Sequence, residues 1–321
     1  METKKKICVI GGGRWGKNHI KSLYLMGNLG GIIESNTDRL NSLLDEYRVK
    51  GYKEIDDAIN EGFDGYIVAT PPIMHYPIGK KLLEKGLNVL IEKPMTLSSA
   101  TAEELLILSE KTGGKLMVGH VLLFHPAIRK IKEVIDSGKI GNLYYIYSNR
   151  VNHGTVRTEE NVFWSFAPHD ISVIEYFVGS PPIFIESSGS KFLQKNVYDF
   201  TMTQLVYPNN VHAHIFVSWL HPFKEQRLVL VGSKGMISFD DSSIEKEIFY
   251  YQKQIVFDNG YPEKVEKPTE IIAYENKQPL SEELNYFVNN LDKTIEISNG
   301  YSGLEVVKVL EKAQNIIEKK Q

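Results

Sequence analysis

Cysteine is all but missing from this chain: Cys8 stands alone among 321 residues. An intrachain disulfide is therefore excluded, as is any Cys-rich metal motif. Its place inside an apolar run predicts a buried thiol, and so little thiol fits a cytoplasmic setting. Long apolar runs are also lacking. None approaches the roughly 18 residues of a membrane helix, and the run Ile7–Ile10 is too short for a signal-peptide core. No excess of one charge exists either: 37 Lys and Arg against 40 Asp and Glu leave a net charge of −3. That gives no basic footprint for nucleic acid, and Lys4-Lys5-Lys6 reads as a solvated flank. Hydrophobic residues at 42% and charged residues at 24% describe an ordinary globular protein. The length fits two domains of roughly 100–200 residues each. There is no internal repeat and no low-complexity segment.

What is present is glycine at one place. Gly11-Gly12-Gly13-Arg14-Trp15-Gly16 follows Ile7–Ile10 directly. G-x-G-x-x-G carries meaning only between a strand and a helix N-terminus, and both are predicted here. Gly11 allows the tight turn, Gly13 lets the backbone approach a pyrophosphate, and Gly16 lets helix and strand pack closely. Exposed N–H groups and the positive dipole end then face phosphate. Arg14 and Trp15 are expected at the same dinucleotide site. Glu34 ends the second predicted strand, eighteen residues beyond Gly16. An acidic residue there accepts from ribose hydroxyls and repels a 2′-phosphate, favouring NAD over NADP. Arg39, on the next helix, softens that discrimination.

The first third alternates short buried strands (6–10, 31–34, 65–69, 88–91 and 116–120) with helices (16–25, 38–47, 75–85 and 98–112). This βαβ rhythm predicts an N-terminal doubly wound, Rossmann-type parallel sheet. Past His120 the rhythm changes. Helices are expected at 126–136 and 168–177. Strands are expected at 143–151, 183–187, 200–206, 211–219, 227–231 and 236–240, without long crossovers between them. The second domain is therefore α+β with an open-faced, largely antiparallel sheet. Residues 261–268 read as a loop, and helices at 281–291 and 302–319 close the chain. The expected domains are 1–120 for dinucleotide and 121–321 for substrate and oligomerisation, the C-terminal helix packing back on the first.

Ligands of open α/β sheets lie beyond the carboxyl ends of the strands. Thr70 and Pro71 follow the strand 65–69, and Glu92-Lys93-Pro94 follows 88–91. A lysine at a strand end is as a rule simply solvated; here it also points toward the crevice. The series Gly11–Gly16, Ala69–Pro72 with His75, Glu92-Lys93-Pro94 and Val118-Gly119-His120 ending in Phe124-His125-Pro126 resembles the Gfo/Idh/MocA oxidoreductases. That resemblance implies a catalytic Lys93 touching cofactor and substrate. It also implies a cofactor site of Gly11, Gly13, Arg14, Trp15, Gly16, Glu34, Thr70, Pro71, His75, Glu92 and Lys93, and a homodimer or homotetramer.

Trp164-Ser165-Phe166-Ala167-Pro168-His169-Asp170 is similar to the segment carrying the family's catalytic histidine, most of all in the branch acting on nucleotide-linked sugars. His169 matches that histidine. Ser165 stands where an aspartate is common, against an Asp–His relay, and His125 stands where asparagine is common. Read without the resemblance, His169 is a histidine in the first turn of a helix opened by Pro168. Arg150 and Arg157 are the candidates for phosphate or carboxylate recognition, and Asn152 and Asn161 for sugar hydroxyls. His212 and His214 share one strand face, with no third ligand in reach, so no metal site is expected. The expectation is hydride transfer between NAD and a secondary alcohol, C3 of a nucleotide-linked sugar. A sugar 3-ketoreductase, a free-sugar or inositol dehydrogenase, and a non-catalytic NAD-responsive regulator are the alternatives.

Overall fold

The computed structural model describes residues 4–320. Its first sheet is built from β1 (Ile7–Ile10), β2 (Leu29–Ile33), β3 (Lys50–Tyr52), β4 (Gly65–Val68), β5 (Val89–Glu92) and β6 (Leu116–Gly119). Between them run α1 (Arg14–Met26), α2 (Thr37–Tyr47), α3 (Ile55–Ile59), α4 (His75–Leu83) and α5 (Ser99–Thr112). All six strands are parallel, in the order β3-β2-β1-β4-β5-β6. Every residue of β1, β4 and β5 is buried, as a sheet covered on both faces demands. Cys8 lies inside β1. The strand order reverses between β1 and β4, so the ligand crevice of such a sheet opens at their carboxyl ends. The short β3 and α3 were not expected from the sequence.

The second unit contains α6 (Pro126–Asp136), β7 (Leu143–His153), α7 (Val162–Val178), β8 (Phe184–Ser190), β9 (Phe200–Tyr207) and β10 (Val211–Ser218). It continues through β11 (Leu220–Gly232), β12 (Met236–Asp240), β13 (Ile248–Tyr251), β14 (Lys253–Asp258), β15 (Tyr261–Glu266) and β16 (Glu270–Ile272). Eight strands form a sheet in the order β16-β13-β12-β11-β7-β10-β9-β8. Its pairs are antiparallel except β7 with β10. In β9 and β10 buried residues alternate with more exposed ones, the signature of a sheet covered on one face. Helix α7 packs on β7, β9 and β10.

Two segments depart from the sequence reading. The expected loop 261–268 contains β15, which pairs with β14 as a hairpin. Its turn has Asn259 at φ 49° and Gly260 at φ 84°, the left-handed pair a tight hairpin requires; the flanking residues are mostly exposed and carry no periodic pattern. Helix α7 begins at Val162, so Pro168 lies well inside it. Its cap is Asn161, and a long apolar face (Phe163, Ala167, Ile171, Ile174) carries the helix through the proline.

The chain then returns through α8 (Pro279–Asn289) and α9 (Gly300–Lys319). One compact unit runs to Phe124 and takes in Lys277–Lys308; the other comprises His125–Asn276 and the residues from Val309. The division is thus not contiguous in sequence. Among the described residues no helix is long and apolar enough to cross a membrane.

Asp199 anchors the second unit's loop 191–199. It is fully buried and accepts from Trp219 Nε1 at 2.6 Å, Phe192 N at 2.6 Å and Leu193 N at 2.8 Å. Asp199→Ala strands three donors, and unfolding in denaturant is expected to show a loss of about 2–4 kcal/mol.

Candidate active site

Gly11 turns the chain out of β1 with φ 99°, and a Cβ there would lie 2.7 Å from the Ala69 carbonyl. A Cβ on Gly16 would lie 1.8 Å from the Gly11 carbonyl, so α1 starts directly against the turn. Gly13 caps α1 without a side chain, and a Cβ on it would meet nothing within 4 Å. Open space therefore faces the helix's first turn, with no acidic residue in that turn. Arg14 and Trp15 are exposed beside it. Across the crevice, at the end of β4, the buried Thr70 hydroxyl has no hydrogen-bond partner among the described residues, and Pro71 is exposed. A cradle of this form, with an orphaned hydroxyl opposite, fits a pyrophosphate-bearing dinucleotide.

Glu34 is buried at the end of β2. It accepts from Gly12 N at 2.8 Å, Asn36 N at 2.9 Å and Arg39 Nη1 at 3.1 Å. Burial alone would raise its carboxyl; the N–H groups of Asn36 and Gly12 and the Arg39 guanidinium together hold it below the usual carboxylate range. An ionised carboxylate has about four acceptor positions. Three are taken, which leaves one on Oε1 for a ribose hydroxyl.

At β5 the chain leaves the sheet through Glu92 and the half-buried Lys93, whose bond to Pro94 is cis. Glu92 Oε1 lies 2.7 Å from Nε2 of the buried His19 on α1, and Oε2 accepts from Lys93 N at 3.1 Å. Burial opposes ionisation of Glu92, but His19 and Lys93 prevail and hold the carboxyl low. His75 does not line the crevice. It is buried, its Nδ1 2.8 Å from the Pro94 carbonyl and its Nε2 2.9 Å from the Thr70 carbonyl. It clamps the turn after β5 to the turn after β4, and burial pushes its imidazole pKa down.

In the second unit His169 lies inside α7, half-buried, and not in a first turn as the sequence suggested. Ser165, one turn before it, is buried. Asp170 binds Arg150 through Nε at 2.8 Å and Nη2 at 3.2 Å and accepts from Ser148 Oγ at 2.7 Å. Arg150, expected to hold substrate anion, is thereby committed to locking α7 onto β7. Asn161, expected at sugar hydroxyls, accepts from Phe163 N and Trp164 N as the helix cap, and its amide donates to Gln314. Asn152 keeps a buried Oδ1 without a partner among the described residues. Arg157 sits on the exposed stretch 153–159 with its side chain 47% exposed and paired to Glu160 at 3.1 Å, a bond weak enough to exchange for a ligand. His125 caps α6 through Nδ1, which asparagine would also do. Among the described residues no group of three or more His, Cys, Asp or Glu is placed to hold a metal ion.

Three residues here escaped the sequence reading as parts of a site: His19 beyond its position near the crevice, His120 and Glu283. Glu283 had a signal. It occupies the apolar stripe of α8 with Leu284 and Phe287, an acid where the pattern calls for a hydrophobe.

Residues 5–120 match the family model described as "Oxidoreductase family, NAD-binding Rossmann fold", and residues 128–238 match the GFO/IDH/MocA C-terminal domain. The chain is 25% identical over 182 residues to UDP-N-acetylglucosamine 3-dehydrogenase of Acidithiobacillus ferrooxidans, an alignment covering 56% of each chain. It therefore spans little more than half of that relative in sequence. The solved structure of the same enzyme superposes with TM-score 0.87 at 20% identity, over 99% of this chain and 98% of the other. A scyllo-inositol 2-dehydrogenase (NAD(+)) of Bacillus subtilis is 25% identical over 256 residues, 74% of each chain. An Agrobacterium radiobacter oxidoreductase solved with NAD+, L-tartaric acid and magnesium has TM-score 0.82 at 16% identity, covering 99% and 98%.

With Glu34 read as an acceptor for the ribose of NAD, removing its carboxylate should weaken NAD and leave NADP unaffected. Glu34→Ala is expected to weaken NADH binding about tenfold, the worth of one charged hydrogen bond, with NADPH binding nearly unchanged; fluorescence titration of both nucleotides measures the ratio.

Proposed function

The chain belongs to the GFO/IDH/MocA family of NAD-binding oxidoreductases, and from that premise we propose an NAD-dependent dehydrogenase acting on a secondary alcohol of a nucleotide-linked sugar. The observation that carries this reading is Lys93. It stands at the carboxyl end of β5, its neighbour Glu92 fixed by His19 and its turn clamped by His75 beside the phosphate turn of β1.

Nicotinamide, when bound, supplies the hydride acceptor. Gly11–Gly16, Thr70 and Glu34 would hold the dinucleotide. Oxidising an alcohol further requires a base for the hydroxyl proton and a positive group for the developing alkoxide. His169 is assigned the base role, since an imidazole titrates near working pH. Lys93 is assigned the alkoxide, which a fixed ammonium stabilises. Ser165 carries no carboxylate, so His169 works without an aspartate one turn before it. Arg150 and Asp170 hold α7, and with it His169, in register on β7. In the reverse direction the same pair protonates a ketone.

The nucleotide-sugar assignment draws on the resemblance to the UDP-N-acetylglucosamine dehydrogenase and on Arg157, a lightly held guanidinium suited to phosphate. Inositol dehydrogenases among the relatives support a second reading, a cyclitol or free sugar, in which Arg157 has no phosphate to meet. Two experiments decide. Lys93→Ala is expected to lower turnover at least about a hundredfold with NADH affinity retained; undiminished turnover on a panel of UDP-, dTDP- and free sugars removes Lys93 from the chemistry. Arg157→Ala is expected to raise KM for a UDP-sugar about tenfold or more and leave KM for NAD alone. An equal change in both refutes the phosphate assignment.

A further inference from the structure

Five buried polar atoms around Glu92 have no hydrogen-bond partner among the described residues: Nδ1 of His19, both ring nitrogens of His120 and both carboxyl oxygens of Glu283. Helix α8, which carries Glu283, packs on α1, which carries His19, and on the turn Val121–Phe124 that follows His120. Glu283 and His120 each lie near enough to Glu92 for their charges to interact. The charge that reaches Glu283 is that of Glu92 at the end of β5, and Glu92 in turn interacts with His19 from α1, with Lys93 and with His120 from the end of β6. Helix α8 itself adds Glu282 and Tyr286, while Lys17 and Lys21 of α1 are solvent-exposed.

The two glutamates are not equivalent. Glu92 has the His19 ring and the Lys93 N–H against its oxygens. Glu283 is fully buried and has no donor at either oxygen. A buried carboxylate without donors, beside another carboxylate, is not a tenable anion. As an acid it has a proton to offer and an anion nearby to receive it. Buried polar atoms left open at this density are normally joined by water.

We propose that Glu283 is a positioning residue for the reaction at Lys93: as a neutral acid it donates, through buried water, to the Glu92 carboxylate and holds that carboxylate in place beside Lys93. The proposal rests on the reading of Lys93 given above. Its consequence is that the buried cluster around Glu92 contains one anion, not two. A second anion would bind the Lys93 proton more tightly and turn Glu92 away from its partners. His120 adds no charge, since burial pushes its imidazole down to about 4.

Infrared difference spectra of the full chain test the proton directly. Wild type at neutral pH should show a carboxylic-acid carbonyl stretch that Glu283→Gln lacks. Thermal unfolding tests it independently. Burial and the Glu92 charge raise the Glu283 carboxyl in the folded state, so above the unfolded value the folded chain retains a proton that the unfolded chain has released. Wild type therefore loses stability as pH rises through that window, and Glu283→Gln escapes the loss. Its Tm advantage should grow by a few degrees between about pH 5 and about pH 8. For the positioning role, Glu283→Leu should lower kcat about tenfold with NADH affinity within about twofold, and Glu283→Gln, which keeps an N–H donor, should recover most of that loss. A missing carbonyl band, no growth of the Tm difference, a leucine variant with wild-type kcat, or a glutamine variant as impaired as leucine each overturns the proposal. Undiminished turnover in Lys93→Ala instead strikes the reading of Lys93, while the infrared and unfolding measurements still decide the state of Glu283.

Discussion

One steric constraint organises the first unit: α1 must begin in contact with the turn that leaves β1. No side chain fits at position 16, because its first carbon would overlap the Gly11 carbonyl. Close approach places the helix's opening turn at the strand-order reversal, where neighbouring strands diverge and leave room. The helix then carries His19 inward onto Glu92. The glycine turn after β1 and the turn that carries Lys93 are therefore not two separate features. The same helix that offers its N-terminus to an anion also braces the residue preceding Lys93.

Charge in this unit is handled by local neutralisation. Glu34 is surrounded by two backbone N–H groups and a guanidinium. Glu92 is surrounded by a histidine and its own neighbour's N–H. Each carboxylate remains ionised because donors were arranged around it before any ligand arrives, which is the condition for electrostatic preorganisation. In the second unit the same device appears at Asp170, which Arg150 and Ser148 enclose, and its product is mechanical: it fixes the helix bearing His169.

The parts legible in the sequence were those with strong local grammar. Glycine spacing after a short apolar strand announced the parallel sheet and its crevice, and Glu92-Lys93-Pro94 marked the end of β5. The parts that were not legible depended on partners distant in the chain. Nothing near Arg150 shows that Asp170, twenty residues on, claims it. Asn161 looks like a polar loop residue until α7 is seen to start beside it, and Pro168 drew the expected start too late because proline usually opens helices rather than sitting within them. β3 has only three residues and α3 five, too few for a periodic pattern. The hairpin of β14 and β15 is largely exposed, so burial left no alternation to read.

The stretch from His153 to Glu159 is exposed, yet it is bounded by fixed posts. On one side β7 is paired along its length with β10 and β11. On the other, Asn161 and Trp164 both donate to Gln314, and Val162 N donates to the Tyr198 carbonyl. Within the stretch, Gln194 holds only the Arg157 carbonyl, a group every amino acid has. Evolution can therefore rewrite these seven side chains without shifting the helix that bears His169.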